Sequence, residues 1–210
     1  MERVALTFDE VVNRARTLTR NGRTILGITG APGAGKSTVA KMIVESLGPK
    51  LAALAPMDGF HLSNSTLKAE GKLARKGALD TFDGYGYLNL LARLRAQNEP
   101  VVHAPDYYRT FEESIGSAIP IYREVPLIVT EGNYLLFKTE PWGQVQNHLD
   151  ESWFIELEEN VRIARLIQRH IEVGKSPEEA EKWSRGSDQE NALSVLANKD
   201  SADLVITILE

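Results

Sequence analysis

Apolar residues recur along this chain in two rhythms, short unbroken runs and longer stretches spaced at three and four residues, and their alternation predicts strands and helices in turn. Unbroken runs stand at Thr24-Ile25-Leu26-Gly27-Ile28-Thr29, Leu51 to Pro56, Val101 to Pro105, Pro126 to Thr130, Trp153 to Leu157 and Leu204 to Leu209, with a weaker one over Ile119 to Tyr122. Helical spacing places Val11, Val12, Ala15 and Leu18 on one side of a helix that precedes the first strand. Thr7 and Glu10 open that helix as a capping box, and Asn21-Gly22 ends it. The same spacing joins Val39, Ala40, Ile43, Val44 and Leu47 before a Gly48-Pro49 stop, Tyr87 to Leu94 within residues 84–97, and Ile163, Leu166 and Ile167 within residues 160–173. A second capping box, Ser176-Pro177-Glu178-Glu179, launches a helix over 180–197 that Gly186-Ser187 bends or splits. Residues 63–83 are polar, basic and glycine-punctuated, and read as a solvated linker. Strands alternating with helices, without repeats or low-complexity tracts, predict an α/β fold whose parallel sheet is covered by helices on both faces.

The turn between the first strand and its helix adds chemistry. Gly30-Ala31-Pro32-Gly33-Ala34-Gly35-Lys36-Ser37, followed by Thr38, matches G-x-x-x-x-G-K-[ST] in full. A buried strand delivers the loop to a helix start, where backbone N–H groups and the helix dipole can hold phosphates. Lys36 would reach the β- and γ-phosphates of a nucleotide, and the Ser37 hydroxyl would hold Mg²⁺. Phosphoryl transfer then needs an acid near the metal, a base for the acceptor hydroxyl and cations for the moving phosphoryl group. Glu131, directly after the apolar run 126–130, fits the first role. Asp58, just past the second strand, fits the base, with a turn-forming aspartate before Gly59 as the competing reading. His61 either binds substrate or packs beside Phe60. Arg162, Arg165 and Arg169 share one side of a helix whose apolar residues fill the other, so they are expected to face outward, as a solvated face or as a lid over the phosphates.

Composition narrows the classes. At 210 residues with 42% hydrophobic and 25% charged positions, the chain is sized for a single α/β domain, here taken as residues 1–210. A formal net charge of -5 gives no electrostatic reason to expect nucleic acid. The absence of cysteine excludes disulfides, thiolate catalysis and cysteine-built zinc sites. With no apolar run of signal-peptide or membrane-span length, a soluble cytoplasmic protein is expected, with no membrane partner and a homodimer admitted.

The phosphate loop, Asp58-Gly59-Phe60 at a strand end, Glu131-Gly132, and Arg165 and Arg169 before Gly174-Lys175 together resemble the uridine kinase, phosphoribulokinase and bacterial pantothenate kinase group of P-loop kinases. Met57-Asp58-Gly59-Phe60-His61, Thr81-Phe82-Asp83, Pro105 to Arg109 and Glu131-Gly132-Asn133-Tyr134 resemble most the fructose-transport-system kinases within it. The resemblance runs from Ile25 to Ile208 and implies a P-loop NTPase three-layer fold with a helical lid over about residues 158–190 and an acceptor-side insert over about 59–83. It further implies an ATP- and Mg²⁺-dependent kinase with a small-molecule hydroxyl acceptor, fructose-like first and a nucleoside or pantothenate after it. Asp58 is the implied base, Glu131 the metal-linked acid and Arg165 and Arg169 the lid cations, with Asp83, Arg109, His61 and Tyr107 lining the acceptor site. Two departures, Arg169-His170 for Arg-Asp and Val173-Gly174-Lys175 for Arg-Gly-Arg, argue against a uridine kinase in the strict sense, as does Tyr108 before Arg109. A GTP switch is the reading from another class. Asn198-Lys199-Asp200 is similar to the guanine-specifying N-K-x-D, but Ser201 stands where aspartate is required and the tripeptide follows a helix. A nucleotide sensor without turnover is opposed by the intact set of Lys36, Ser37, Asp58 and Glu131.

Overall fold

The computed structural model of the protein describes residues 2–20 and 22–209. In chain order its strands and α-helices are β1 (Glu2–Thr7), α1 (Phe8–Thr17), β2 (Thr24–Thr29), α2 (Lys36–Leu47), β3 (Ala52–Pro56), α3 (Asn64–Ala69), α4 (Gly84–Ala96), β4 (Val101–Tyr108), β5 (Glu113–Tyr122), β6 (Leu127–Glu131), β7 (Glu151–Glu156), α5 (Glu159–Glu172), α6 (Pro177–Arg185), α7 (Ser187–Leu196) and β8 (Leu204–Leu209). Six strands form a parallel sheet in the order β1-β8-β7-β2-β6-β3. Successive residues of a strand face opposite sides, so each central strand feeds two cores. On one side α1 and α2 bring Val11, Ala15, Val39 and Ile43 against Leu26, Ile28, Val129 and Ile206. On the other, α4 and the 3₁₀ turns over Trp142–His148 bring Tyr87, Leu91, Trp142 and Val145 against Ile25, Ile128, Phe154 and Val205. The expected three-layer parallel fold is present.

Three local expectations are corrected. The first helix does not precede the first strand, because β1 comes before it and pairs along its length with β8, from Glu2 beside Leu204 to Thr7 beside Leu209. β1 is an edge strand in which only Val4 and Leu6 reach toward the core, too little apolar signal to read locally. Thr7 does form the capping box with Glu10, but α1 ends at Thr17 and passes into a 3₁₀ turn over Leu18–Arg20; Asn21, expected to end it, lies outside the described residues. Second, the runs at 101–105 and 119–122 are parts of longer strands that pair with each other, antiparallel and outside the main sheet. The added residues, such as Asp106, Tyr107 and Glu113, are half-buried polar or aromatic positions and so carry no apolar run. Third, residues 63–83 are folded rather than a solvated linker. Leu67 and Thr81 are fully buried, Arg75 pairs with Asp80 through two bonds of 2.5 and 2.6 Å, and Lys72 reaches Glu70 at 2.7 Å. The helix over 180–197 splits as expected, into α6 and α7 at Gly186. No helix among the described residues is long and apolar enough to cross a membrane.

Candidate functional site

Strand register assembles the site. Parallel pairing sets Ile28 of β2, Glu131 of β6 and Pro56 of β3 on one row at the carboxyl edge of the sheet. Two residues further on, the chain from β2 has reached Gly30 and the chain from β3 has reached Asp58. β2 lies between β6 and β7, where the chain order reverses, the place at which open parallel sheets leave a crevice for ligands. A cleft of about 1230 Å³ opens there, lined by the loop from Pro32 to Thr38 together with Asp58, His61, Tyr107, Arg109, Glu131, Arg165 and Arg169.

The loop is shaped from below by α5. Gly33 has φ +83°, and a Cβ there would meet the Arg162 carbonyl oxygen and Leu166 Cγ, each at 2.8 Å. Both conformation and space demand glycine. Gly33→Ala is therefore expected to remove about 1–3 kcal/mol of stability and to weaken ATP binding. Thermal unfolding with and without nucleotide measures both, and an unchanged Tm would show that the loop relaxes without resistance.

Lys36 begins α2 and is only 7% exposed, with Nζ donating to the Ala31 carbonyl at 3.2 Å. Burial lowers its pKa to about 8 against the pull of Glu131 and Asp58. Ser37 Oγ donates to Glu131 Oε1 at 3.0 Å. Glu131, 4% exposed, is pushed up to about 7, first by burial and then by the charge of Asp58. Among the described residues no group of three or more acidic, histidine or cysteine side chains could cage a metal. One carboxylate with one hydroxyl beside a phosphate loop is nonetheless the donor set that suits Mg²⁺, which takes few protein oxygens and completes its shell with phosphates and water. Ser37 and Glu131 fit that ion, and its positive charge would draw Glu131 back to the ionised form.

Asp58 sits in the 3₁₀ turn Met57–Phe60 that ends β3. The ribbon lies directly on this turn, since a Cβ on Gly59 would fall 2.4 Å from the Pro105 carbonyl oxygen. That close approach delivers Arg109, just beyond β4, to Asp58, Nη2 to Oδ2 at 3.2 Å. Burial alone would raise the Asp58 pKa, but His61, Arg109, Lys36 and Arg169 together bring it below the usual carboxylate value. Two carboxylates at one site thus have pKa values driven apart, Asp58 ionised and Glu131 poised near neutrality. His61 lies between the rings of Phe82 and Tyr107, with centroids at 4.0 and 4.5 Å. Its Nδ1 is 2.7 Å from the Asp58 carbonyl and so carries the proton, which leaves Nε2 as an acceptor while burial lowers its pKa. His61 thus packs through its ring, between Phe82 and Tyr107 rather than beside Phe60 alone, and lines the cleft.

The structure departs from two expectations at the site. Asp83 is not brought to the cleft; its Oδ1 caps α4 by accepting from Gly86 N at 2.8 Å, the role a D-x-x pattern at a helix start signals. Arg162 does not face outward. It is 2% exposed and turned under the loop, whereas Arg165 is exposed and its Nη1 would lie 3.8 Å from a Cβ on Gly35. Arg169, partly buried, has its pKa lowered by burial and by nearby Arg109. Residues not anticipated also line the cleft, including Asn133, Lys175 over the Trp183 ring at 4.7 Å, and the pair His170–Asp188 at 2.7 Å. The Lys199 of the guanine-like tripeptide is instead paired with Glu156 at 2.7 Å.

Comparisons with known proteins bear on this geometry. A model of the family described as phosphoribulokinase / uridine kinase matches residues 25–209. The solved structure of a "putative fructose transport system kinase from Silicibacter sp. TM1040" is similar at a TM-score of 0.85 and 32% sequence identity, covering 95% of this chain and 98% of that one. A "putative uridine kinase" of Schizosaccharomyces pombe is 29% identical over 211 residues, 95% of this chain and 90% of its own length. A pantothenate kinase of Limosilactobacillus reuteri subsp. reuteri is 30% identical over 150 residues, 69% of this chain and 48% of its own length.

Proposed function

Since the chain belongs to the phosphoribulokinase / uridine kinase family and is a kinase acting on an alcohol group, we propose that it transfers the γ-phosphoryl group of ATP to a hydroxyl of a sugar, fructose-like in the first instance. The observation that carries this reading is the convergence of Lys36, the Ser37–Glu131 pair and the Asp58–Arg109 pair at the ends of three adjacent strands, in one cleft. Arg109 occupies Oδ2 of Asp58, which leaves Oδ1 to accept the proton of the acceptor hydroxyl. As that proton moves, the hydroxyl oxygen bonds to the γ-phosphorus, the bond to the β-phosphate oxygen breaks, and ADP leaves. Lys36, Arg165 and Arg169 supply the charge that the loose transition state needs on its equatorial oxygens. Ser37 and Glu131 would hold a divalent ion, whose charge would offset the negative charge of the phosphates. A sugar is favoured because the acceptor end offers hydrogen-bonding side chains, Asn64, His61, Tyr107, Arg109 and Asn133, and because the Silicibacter relative's name joins fructose to a kinase.

The test is an ADP-release screen with ATP and Mg²⁺ over sugars, nucleosides and pantothenate. Sugar-dependent ADP release is the expected result. Release dependent on a nucleoside or on pantothenate would move the acceptor to that class, and release with none of them would remove the small-molecule kinase reading.

A further inference from the structure

Arg162 is a buried cation that does not line the nucleotide cleft. Its Nη1 donates to the Pro32 carbonyl at 3.2 Å, and its Nη2 donates to Gln189 Oε1 of α7. Gln189 in turn donates from Nε2 to Glu159 Oε2 at 3.0 Å, so the contact is braced at the start of α5. We propose that Arg162, held by Gln189, is a positioning residue that fixes the outer bend of the phosphate loop for nucleotide binding and ties that bend to α7; the proposal rests on reading residues 30–37 as a nucleotide-phosphate loop.

Arg162 is costly to the fold where it stands. Arg162 makes no ion pair among the described residues, and a guanidinium removed from water without a carboxylate partner is disfavoured. An apolar side chain of similar length would fill the space at lower cost, so packing alone does not account for arginine here. What the guanidinium does that an apolar chain cannot is hold one loop carbonyl and one lid amide at a fixed separation through a rigid planar fork.

Arrival of a phosphate separates the roles of the two cations at the loop. Two successive loop carbonyls are held by two cations, Ala31 by Lys36 and Pro32 by Arg162. A phosphate competes for the Lys36 ammonium more strongly than a neutral carbonyl does. Lys36 then leaves Ala31, while Arg162, outside the cleft, keeps Pro32 where it was. Arg162 is therefore the anchor that remains when the loop is in use. The residue beside its partner adds a second tie, because Asp188 of α7 pairs with His170 two turns further along α5. α7 is fastened to both ends of α5 by adjacent residues, one tie reaching the phosphate loop and the other lining the cleft.

The experiment compares Arg162→Met, Arg162→Lys, Gln189→Leu and the Arg162→Met/Gln189→Leu double variant in the full chain. It measures ATP affinity by equilibrium titration and nucleotide-free Tm by thermal unfolding. Arg162→Met is expected to weaken ATP binding about tenfold or more, the scale of a hydrogen bond to a charged group, and Gln189→Leu, which acts only through Arg162, about threefold. The nucleotide-free Tm should hold or rise in Arg162→Met, which removes the buried charge, and fall in Gln189→Leu, which leaves that charge with one acceptor fewer; Arg162→Lys should recover part of the affinity, and the double variant should bind no worse than Arg162→Met. Unchanged ATP affinity with a lowered Tm would reduce Arg162 to a structural residue, and additive losses would break its link to Gln189. Should Arg162→Met fail to fold, the proposal is overturned if Gln189→Leu binds ATP as the parent does and supported if it shows the threefold loss. A parent protein that binds no nucleotide would remove the phosphate-loop reading itself, an outcome separate from the others.

Discussion

Lys36→Met is expected to lower kcat/KM for ATP by about three orders of magnitude while leaving the nucleotide-free protein at least as stable as the parent. The two halves of this expectation have one cause. The ammonium is held out of water beside the loop, where among the described residues its one hydrogen bond goes to the Ala31 carbonyl and burial has lowered its pKa to about 8. Such a group is costly to the empty fold and becomes favourable only with phosphate oxygens around it. Methionine keeps the length and removes the cost. The pH dependence carries a definite sign. A lysine whose folded pKa is depressed costs the folded state most below that pKa, and the cost fades as pH rises from about 8 toward the ordinary 10.5. Any Tm advantage of the methionine variant should accordingly shrink between neutral and alkaline pH. Normal kinetics in Lys36→Met would detach residues 30–37 from the reaction.

Asp58→Asn should reduce kcat about a hundredfold or more with the identified acceptor and leave ATP affinity within a small factor. Asparagine preserves the shape of the side chain and can still accept the hydrogen bond from Arg109, so the turn Met57–Phe60 and the ribbon above it stay in place. It cannot take the proton of the acceptor hydroxyl. The Arg109 partner is about half exposed, which limits what the ion pair itself contributes to stability, and the Tm should move little. Single-turnover measurements separate the chemical step from binding. Unchanged turnover would strip Asp58 of the base role, and an equal loss of ATP affinity and kcat would mean that its charge organises the nucleotide instead.

Much of the donor side was legible along the chain because its parts are local. A buried run, a glycine loop and a helix stopped at Gly48 lie consecutively from Thr24 to Leu47, and each ends where its own residues dictate. Asp58 and Glu131 were legible for a related reason, since a carboxylate directly after an apolar strand is marked by the strand. Asp83 shows the limit of that logic. Its place in a family-like motif pointed to the acceptor, whereas its neighbours Gly84 and Gly86 make it a helix cap. Arg162 shows a second limit. Its spacing with Arg165 and Arg169 puts all three near one side of α5, but a helix of 3.6 residues per turn spreads three such positions over a wide arc. Which edge of the arc is buried depends on α7 and on the loop, the latter 130 residues away in sequence.

The sequence by itself determined the alternation of strands and helices, the phosphate loop, and the carboxylates at the strand ends, because these follow from periodicity, capping and residues adjacent in the chain. Only the tertiary structure decided that β1 joins the sheet through β8, that β4 and β5 leave it to carry Arg109 onto Asp58, and that Arg162 turns beneath the loop. Each of these depends on contacts between segments about fifty to two hundred residues apart, or on a strand whose own apolar signal is too weak to place it. Such pairings are set by the total burial and hydrogen bonding of the assembled fold rather than by any one segment.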